Sequence, residues 1–509
     1  MADAVPRPAA SAPVAAVLPS TPLPWFMEDS SSRRAARTPP PNWKWDADEA
    51  PSRWTALWRA LSPSQVFVGA FLLLVGLGTV GFRVLPGLYT GAPLGWLDAL
   101  FTATSAVCVT GLIVVDTATY FTTWGQAYVL LLIQLGGLGI ISFTSLIIVA
   151  LGQRLSLRQE TLAGGAARVV EDIDDRDLLW AIFRFTLLAE VGGALALYLL
   201  WGPQLGWTGA AWPAVFHAIS AFCNAGFSTF SDSLMGFQGH LPLLLVVMAL
   251  IVLGGLGFLT LEELYVWRRV RRRAARFRLS VHSQLVLGTT AVLIVGGWIA
   301  VTAFEWNSTL AGLSVGERLV NGLFASITPR TAGFNTIDYA QVETETSVLT
   351  IILMVIGGSP ASTAGGIKTT TFALLGLLAW SRLRGRPTTS ISGRTIPEAT
   401  IQKAMSLFIV ATTLLVLGVF LFSATEIPET IPAAASPFLT HAFEVVSAFN
   451  TVGLSMGATG SLSAVGRVGT VLLMFVGRVG TLTFVAAMAR DPTRIAGGFR
   501  YAHEDVAIG

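Results

Sequence analysis

The chain has 509 residues, of which 53% are hydrophobic and only 12% are charged, and its mean hydropathy is +0.65. Because a soluble domain carries about 25% charged residues, this composition excludes a soluble globular protein and predicts an all-α membrane protein with several spans. The formal net charge of +3 indicates membrane orientation rather than nucleic-acid binding. The two cysteines, Cys108 and Cys223, provide no disulfide framework or cysteine-based zinc site, and we expect both to be small buried thiols.

Residues 1–60 are rich in alanine, proline and arginine. They are predicted to form a disordered cytoplasmic region, because this composition cannot bury a core. Several prolines and the lack of a long apolar stretch argue against a signal peptide. Tryptophans near the end of the region favour a position along the membrane surface, with a short amphipathic helix over residues 51–61.

Residues 61–490 contain eight apolar stretches of about the 20 residues that a spanning helix needs, arranged in four pairs. Between the members of each pair lies a shorter semi-polar stretch, such as 95–106 or 212–221, which fits a re-entrant pore helix. The sequence therefore predicts four helix–pore-loop–helix repeats around a central pore, a fold like that of a K+ channel. The predicted repeats are 61–151, 175–267, 280–380 and 400–490, followed by a cytoplasmic tail over 491–509. The predicted spans are 65–85 and 124–151, 178–201 and 241–267, 285–304 and 347–380, and 404–422 and 465–489.

Four loops of similar sequence follow the predicted pore helices. They read SAVCVTGLI at 105–113, SAFCNAGFS at 220–228, SITPRTAGFN at 326–335 and SAFNTVGLS at 447–455, with a serine six or seven residues before a shared glycine. Glycine lets the backbone turn its carbonyls towards an axis, and four such loops can replace the hydration shell of a potassium ion. A calcium or magnesium site would need carboxylates beside the glycine, and the flanking residues are uncharged. The predicted selectivity-filter residues are Val109, Thr110, Gly111, Asn224, Ala225, Gly226, Thr331, Ala332, Gly333, Thr451, Val452 and Gly453.

Three aspartates, Asp116, Asp232 and Asp338, follow three of these glycines by five or six residues, while the fourth loop offers Ala458. One interpretation is an incomplete outer ring of carboxylates that raises the local cation concentration. The other is that they are ordinary solvated loop acids, and the sequence leaves both open.

The arginines are distributed unevenly between the two sides of the predicted spans. They cluster after each repeat, most densely over 268–278, whereas the opposite side holds few basic residues apart from Arg83, Arg318, Arg467 and Arg330. Because Lys and Arg stay on the cytoplasmic side, both termini are predicted to be cytoplasmic and the four loops to open outward. The run over 268–278 is expected to contact anionic lipid rather than nucleic acid.

A polar stretch, GGSPASTAGGIKTTT at 357–371, interrupts the predicted span 347–380. Its glycines and proline cannot continue a regular helix, so it should line a wet cavity, either as a gate or as a passive break. Arg478, within the last predicted span, is expected either to face this cavity and pair with carbonyls of 357–366 or to snorkel to the cytoplasmic end of the span. Lys368 has the same two options, and Glu190 is expected to pair within the bundle. The predicted gate residues are Gly357, Gly358, Ser359, Pro360, Ala361, Ser362, Thr363, Ala364, Gly365, Gly366, Lys368 and Arg478.

Over residues 63–490 the four-repeat pattern resembles the Trk/Ktr/HKT superfamily of potassium transporters, and the number of spans is similar to that of the Ktr membrane subunits, often called KtrB. The resemblance implies one pore per subunit, a homodimer, a cytosolic nucleotide-binding ring of KtrA type, and an intramembrane loop that acts as the gate. Sodium-favouring plant relatives carry serine at the first filter glycine, so Gly111 is similar to the potassium-selective group.

The predicted function is a potassium-translocating pore subunit of an uptake system in the cell inner (plasma) membrane, with potassium as the transported ion and sodium coupling left open. No G-x-G-x-x-G after a soluble strand occurs, so no nucleotide is expected on this chain. A Na+/K+ translocating Trk-type transporter is the nearest alternative. An intramembrane serine enzyme would need Ser359 with His217 or His441, and no matched motif supports it. An alternating-access transporter usually has inverted repeats, whereas these four point the same way.

Overall fold

The computed structural model describes residues 63–150, 175–270, 279–426 and 436–480, all within the unit Arg59–Gly509. The predictions for residues 1–60, including the amphipathic helix over 51–61, lie outside the described residues. So do most of the arginine run over 268–278, the end of the last predicted span and the tail over 491–509.

The described part of the chain is mostly helical. Its helices are α1 Pro63–Val84, α2 Trp96–Val107, α3 Thr117–Tyr120, α4 Thr123–Ala150, α5 Asp175–Leu205, α6 Trp207–Phe222, α7 Leu241–Gly255, α8 Phe258–Val270, α9 Val281–Glu305, α10 Val315–Ile327, α11 Thr344–Val355, α12 Thr369–Leu383, α13 Glu398–Thr425, α14 Pro437–Phe449 and α15 Ala464–Val479. A two-stranded hairpin, β1 Ser390–Ile391 and β2 Arg394–Thr395, lies between α12 and α13.

Four long helices are apolar enough to cross a membrane by length and composition. These are Gln65–Val84 in α1, Ile182–Leu205 in α5, Val281–Glu305 in α9 and Glu398–Thr425 in α13. Each coincides with the first helix of a predicted pair. The bent pair α7–α8 would make a fifth span within the described residues if both halves cross together.

Four short helices, α2, α6, α10 and α14, lie where the pore helices are predicted. They are 12, 16, 13 and 13 residues long, below the about 20 residues that cross a bilayer. Each is buried towards its C-terminal end, as Phe101 to Val107 of α2 and Phe443 to Phe449 of α14 show. The loops that follow these helices therefore start inside the protein rather than at its surface.

The prediction of one continuous span over 241–267 is wrong. Helix α7 ends at Gly255, α8 begins at Phe258, and their axes differ by 102°. Gly257 between them has a φ of +85°, a left-handed conformation that glycine adopts without steric cost. The bend lies in the run LGGLG at 253–257. In the sequence this run resembles a helix-packing face, because small residues are common where membrane helices pack together.

The span predicted over 347–380 is interrupted, as its glycines indicated. Helix α11 ends at Val355 and α12 begins at Thr369. We refer to residues 356–368 as the broken segment. The hairpin at 390–395 was not predicted, although Ser392 (φ 52°) and Gly393 (φ 76°) form the left-handed pair that a two-residue hairpin turn favours.

The hydrophobic core surrounds the four loops. One buried cluster joins Cys108 and Val109 of the first loop to Ala225 and Phe227 of the second. A second cluster packs Phe222 against Ala332 and Phe334, and a third contains Val452 and Leu454 of the fourth loop. Burial of the loops from several sides fixes their backbones, which is a condition for any function that depends on backbone atoms.

Candidate ion pathway

The four loops share one backbone conformation. In each, two residues with positive φ are separated by a single residue. The pairs are Val109 (55°) and Gly111 (94°), Asn224 (60°) and Gly226 (69°), Thr331 (71°) and Gly333 (80°), and Thr451 (51°) and Gly453 (93°). A left-handed conformation costs a non-glycine residue about 1–2 kcal/mol, so four such residues at equivalent positions indicate a conformation that the surrounding packing imposes.

The four loops contact each other in a closed cycle, which we call the glycine ring (residues 109–111, 224–226, 331–333 and 451–453). A methyl group added to Gly111 would overlap the carbonyl oxygen of Ala225, and one added to Gly226 would lie 2.9 Å from that of Ala332. A methyl on Gly333 would overlap the Val452 carbonyl, and one on Gly453 the Thr110 carbonyl. The residue before each glycine thus presents its carbonyl to the next loop, and no side chain fits at the glycines.

All four ring glycines line one cavity of about 280 Å³. Its other walls include hydroxyl groups of Ser228, Ser231, Ser455 and Thr459, together with the carboxylate-bearing Asp116. These residues follow the ring glycines in sequence or lie near them, so the cavity opens on that face of the ring. A wall of polar groups with one carboxylate, beside the backbone of the ring glycines, is suited to a hydrated cation.

The three predicted vestibule aspartates have different positions. Asp116 lines the cavity, caps α3 through Ala118 N at 3.1 Å and accepts from Ser231 Oγ at 2.6 Å. Asp338 accepts from Ala340 N and Gln341 Nε2 within its own turn. Neither Asp338 nor Asp232 lines the cavity, so the structure brings only one of the three to the ring.

Hydroxyl groups hold the loops from behind. Ser105 Oγ donates to Leu112 O at 2.7 Å, and Ser220 Oγ donates to Phe227 O at 2.8 Å. Ser447 Oγ accepts from Gly453 N at 3.1 Å. Each serine therefore closes the turn that contains its ring glycine.

In the third loop this role belongs to Thr328 rather than Ser326. Thr328 Oγ1 donates to Phe334 O at 2.5 Å, whereas Ser326 Oγ donates to Ile294 O at 2.8 Å in helix α9. The equivalence of Ser326 with the other serines is therefore wrong. Thr328 lies five residues before Gly333, whereas the other three serines lie six residues before their glycines, so the spacing by itself would not have found it.

Glycines on the second helices support the base of three loops. A methyl on Gly136, Gly254 or Gly477 would overlap a carbonyl of the loop above it, at Val107, Phe222 or Phe449. Each of these carbonyls lies four residues before a ring glycine. The glycine runs of α4 and α7 thus let the loop backbone approach the helix closely. A packing motif read from the sequence would not show that the partner is a loop and not another helix.

The broken segment closes on itself and fits into the bend between α7 and α8. Gly357 N donates to Ile367 O at 2.8 Å, which joins its two ends. Ser359 N and Thr363 N donate to the carbonyls of Gly255 and Gly254 at 3.0 and 3.2 Å. In return, Phe258 N donates to Ala361 O at 3.0 Å. The two interruptions therefore satisfy each other's free backbone groups, as a non-aqueous environment requires.

The broken segment lies against the ring on the face opposite the cavity. Thr363 Oγ1 donates to Phe222 O at 3.1 Å, and a methyl on Gly365 or Gly366 would overlap or crowd Thr451 and Asn450. These ring-side contacts are made to residues that precede the ring glycines, whereas the cavity is lined by the glycines and residues after them. The cavity and the broken segment therefore contact different residues of the four loops.

Three cationic side chains, two of them buried and Lys368 partly buried, donate to carbonyls of the broken segment. Arg478, only 6% exposed, donates from Nη1 to Thr363 O at 2.5 Å and from Nη2 to Gly136 O at 3.4 Å. Lys368 Nζ donates to Ala364 O at 2.8 Å, and Arg330 Nη2 donates to Gly357 O at 3.4 Å. Arg478 therefore does not snorkel, and its guanidinium bridges the segment to α4.

The residues three positions before the ring glycines were not predicted as a set, although the expected burial of Cys108 and Cys223 is confirmed. Counting three residues back from each glycine gives Cys108, Cys223, Arg330 and Asn450. All four are buried beneath the ring, and Asn450 and Arg330 face the broken segment. Glu190 accepts from Gln134 Nε2 at 3.0 and 3.1 Å, a partner within the bundle.

The residues of the alternative enzyme hypothesis do not meet. Ser359 Oγ accepts from Thr369 Oγ1 at 3.2 Å. His217 pairs through Nε2 with Ser228 Oγ and through Nδ1 with Pro213 O, so both of its nitrogens are occupied elsewhere. No group of three or more His, Cys, Asp or Glu residues suited to a metal occurs in the described part of the chain.

Comparison with known proteins decides the family. The profile of TrkH, described as a cation transport protein, matches residues 65–493. This chain belongs to the TrkH family of cation transport proteins. The match covers all four ring loops and the broken segment, and the family and fold are those of a multi-pass membrane transporter rather than an enzyme.

Individual relatives of the TrkH family agree along nearly the whole chain. The potassium/sodium uptake protein NtpJ of Enterococcus hirae is 38% identical over 453 residues, covering 89% of this chain and 98% of its own. The Ktr system potassium uptake protein B of Bacillus subtilis is 39% identical over 454 residues, with the same coverage. The solved structure of TrkH from Vibrio parahaemolyticus has a TM-score of 0.67 at 19% identity and covers 85% of this chain and 86% of its own.

Proposed function

We propose that this chain is the potassium-translocating pore subunit of a K+ uptake system, in which the glycine ring selects the ion and the broken segment gates it. The observation that carries the proposal is the closed cycle of four loops, each presenting a carbonyl beside the next loop's glycine. Carbonyl oxygens arranged around an axis replace the water that a potassium ion loses on entering. The names of the relatives, potassium uptake and potassium/sodium uptake, support the same ion.

In this proposal the cavity of about 280 Å³ is the outer vestibule, which holds hydrated ions before they enter the ring. Asp116 attracts cations there, since it is the carboxylate that lines the cavity. The broken segment obstructs the inner face of the ring until it moves. Arg478 holds it in place through Thr363 O, so release of this guanidinium accompanies opening.

The wider arrangement follows the four predicted repeats. Eight helices span the plasma membrane, with both termini cytoplasmic and the vestibule outward, as the arginine distribution favours. The chain forms a homodimer with one pore in each subunit and binds a cytosolic nucleotide-binding subunit of KtrA type. Sodium is either transported with potassium or changes the rate of potassium uptake. The name of the relative NtpJ, a potassium/sodium uptake protein, supports a role for sodium.

Growth and flux measurements test the proposal directly. Expression in a bacterium that lacks its own potassium uptake should restore growth at low potassium. The purified chain in liposomes should carry K+ down its gradient and discriminate against Na+. A protein that inserts in the membrane but neither restores growth nor carries K+ would overturn the proposed function.

The partner is tested separately. Co-expression with a candidate nucleotide-binding subunit, followed by purification through a tag on this chain, should recover both proteins in one complex. Flux from liposomes that contain the complex should then respond to added nucleotide. If this chain is recovered alone and its K+ flux is intact, the proposed partner is wrong and the proposed pore function is unaffected.

A further inference from the structure

Arg330 is the charged member of an otherwise uncharged set of four. It lies three residues before Gly333, where the other loops carry Cys108, Cys223 and Asn450. Its side chain is buried and points away from the cavity, although the sequence places it among the basic residues of the outer side. The charge occurs in the same predicted repeat as the broken segment, which suggests that the two are related.

The contacts of Arg330 join the third ring loop to the start of the broken segment. Its Nη2 donates to Gly357 O and to Thr290 Oγ1, both at 3.4 Å. Gly357 N in turn donates to Ile367 O, and Ile356 and Ile367 form a β-bridge. Arg330 therefore holds the point where the two ends of the segment meet, whereas Arg478 holds Thr363 in its middle.

The guanidinium of Arg330 is incompletely satisfied. Its Nε has no hydrogen-bond partner among the described residues, and it makes no ion pair with a carboxylate there. A buried charge held only by carbonyl and hydroxyl dipoles is costly, so it is sensitive to small changes in the position of its acceptors. A cavity of about 20 Å³, about the space of one water molecule, is lined in part by Arg330, Thr290 and Gly358.

We propose that Arg330 is a positioning residue that couples ion occupancy of the glycine ring to the position of the broken segment. This inference rests on the proposed function. When an ion occupies the ring, the third loop takes its ordered conformation and Arg330 holds Gly357. When the ring loses its ion, the third loop relaxes and the hold on the segment weakens. Selection and gating are then linked through a side chain, not only through the intervening helix α11.

The test measures how potassium affects access to the segment. A cysteine replaces Ser362, a half-buried residue of the segment, and the two native cysteines are buried. The protein in liposomes is treated with a membrane-permeant thiol reagent in potassium or in choline. With Arg330 present, potassium should change the labelling rate by about fivefold, the effect of a hydrogen bond worth about 1 kcal/mol. Arg330→Gln should abolish this dependence.

Arg318→Gln provides the matched control. Arg318 lies on α10, which leads into the same loop, and its guanidinium donates to the backbone carbonyls of Trp306, Ala311 and Leu313. It does not contact the ring or the segment in these bonds, so its loss should leave the potassium dependence unchanged. If Arg330→Gln retains the wild-type dependence, or Arg318→Gln loses it equally, the coupling role is overturned.

A second variant separates the charge of Arg330 from the geometry of its guanidinium, and the K+ flux of each variant shows that it has folded. Arg330→Lys keeps the buried charge but not the planar fork of donors, and it should also lose the potassium dependence. Full retention in Arg330→Lys would contradict a role for the guanidinium geometry. Potassium flux of the parent protein is recorded in the same liposomes. Absence of that flux would overturn the proposed function, whereas normal flux with no effect of Arg330 overturns this inference alone.

Discussion

The glycine ring and the broken segment lie against each other but differ in construction. The ring uses one backbone turn four times, with uncharged residues and carbonyls that contact the next loop. The segment is a single stretch in the third predicted repeat, and three cationic side chains donate to its carbonyls. In the proposed function, the fourfold backbone repetition serves ion selection, whereas control of passage depends on one asymmetric element and its charges.

The largest effect is expected where the ring has no space. Gly453→Ala places a methyl over the Thr110 carbonyl at a φ of +93°, which adds left-handed strain of about 1–2 kcal/mol to a direct overlap. We expect K+ flux in liposomes to fall at least about tenfold. Gly460→Ala, at a cavity-lining glycine with open space around it, is the control. Equal flux in the two variants would show that the ring does not need its glycines.

Selectivity should change when a small polar side chain enters the ring. In Gly111→Ser the side chain would meet the Ala225 carbonyl, so the first and second loops must separate. We expect the preference for K+ over Na+ to fall about tenfold, which corresponds to about 1.4 kcal/mol. Competition of Na+ with K+ flux measures this, and an unchanged preference would remove the filter assignment.

Shortening the broken segment should act in the opposite direction. Deletion of residues 361–364 removes the contacts to Phe258 N and Gly254 O and the acceptor of Arg478. With the obstruction gone, we expect basal K+ flux to rise about tenfold without loss of selectivity, an energy of about 1.4 kcal/mol. A folded variant with lower flux would contradict the gate.

Arg478→Gln should have a smaller effect in the same direction. The variant loses the bond to Thr363 O and the bond to Gly136 O, and we expect basal flux to increase about fivefold, as for a net loss of about 1 kcal/mol. Arg467→Gln on the same helix is the control, because its ion pair with Asp98 is partly exposed and such pairs contribute about 0–1 kcal/mol. If the two variants have the same basal K+ flux, Arg478 does not hold the broken segment in the proposed way.

The smallest effect is expected in the vestibule. Asp116→Asn removes the charge that lines the cavity, and we expect the potassium concentration for half-maximal uptake to rise about twofold at low ionic strength and less in high salt. Asp338→Asn, whose carboxylate does not line the cavity, should leave it unchanged. A larger shift for Asp338 than for Asp116 would reverse the assignment.

Much of this organisation could be predicted from the sequence by itself. Hydropathy located the four long helices, because a spanning helix must be apolar along its length. The glycines located the four loops, because the left-handed turn tolerates little else. The polar stretch after Val355 predicted the break between α11 and α12, since proline and glycine cannot continue an apolar helix.

Tertiary structure decided what depends on contacts between distant parts of the chain. At the bend around Gly257, donors from the broken segment satisfy the carbonyls of Gly254 and Gly255, and those donors lie about a hundred residues further along. Contacts that only the fold creates also explain why Thr328, not Ser326, donates to the third loop and why Arg330 donates to Gly357 O. Periodicity and composition describe local preferences, whereas a buried polar group takes the partner that folding brings to it.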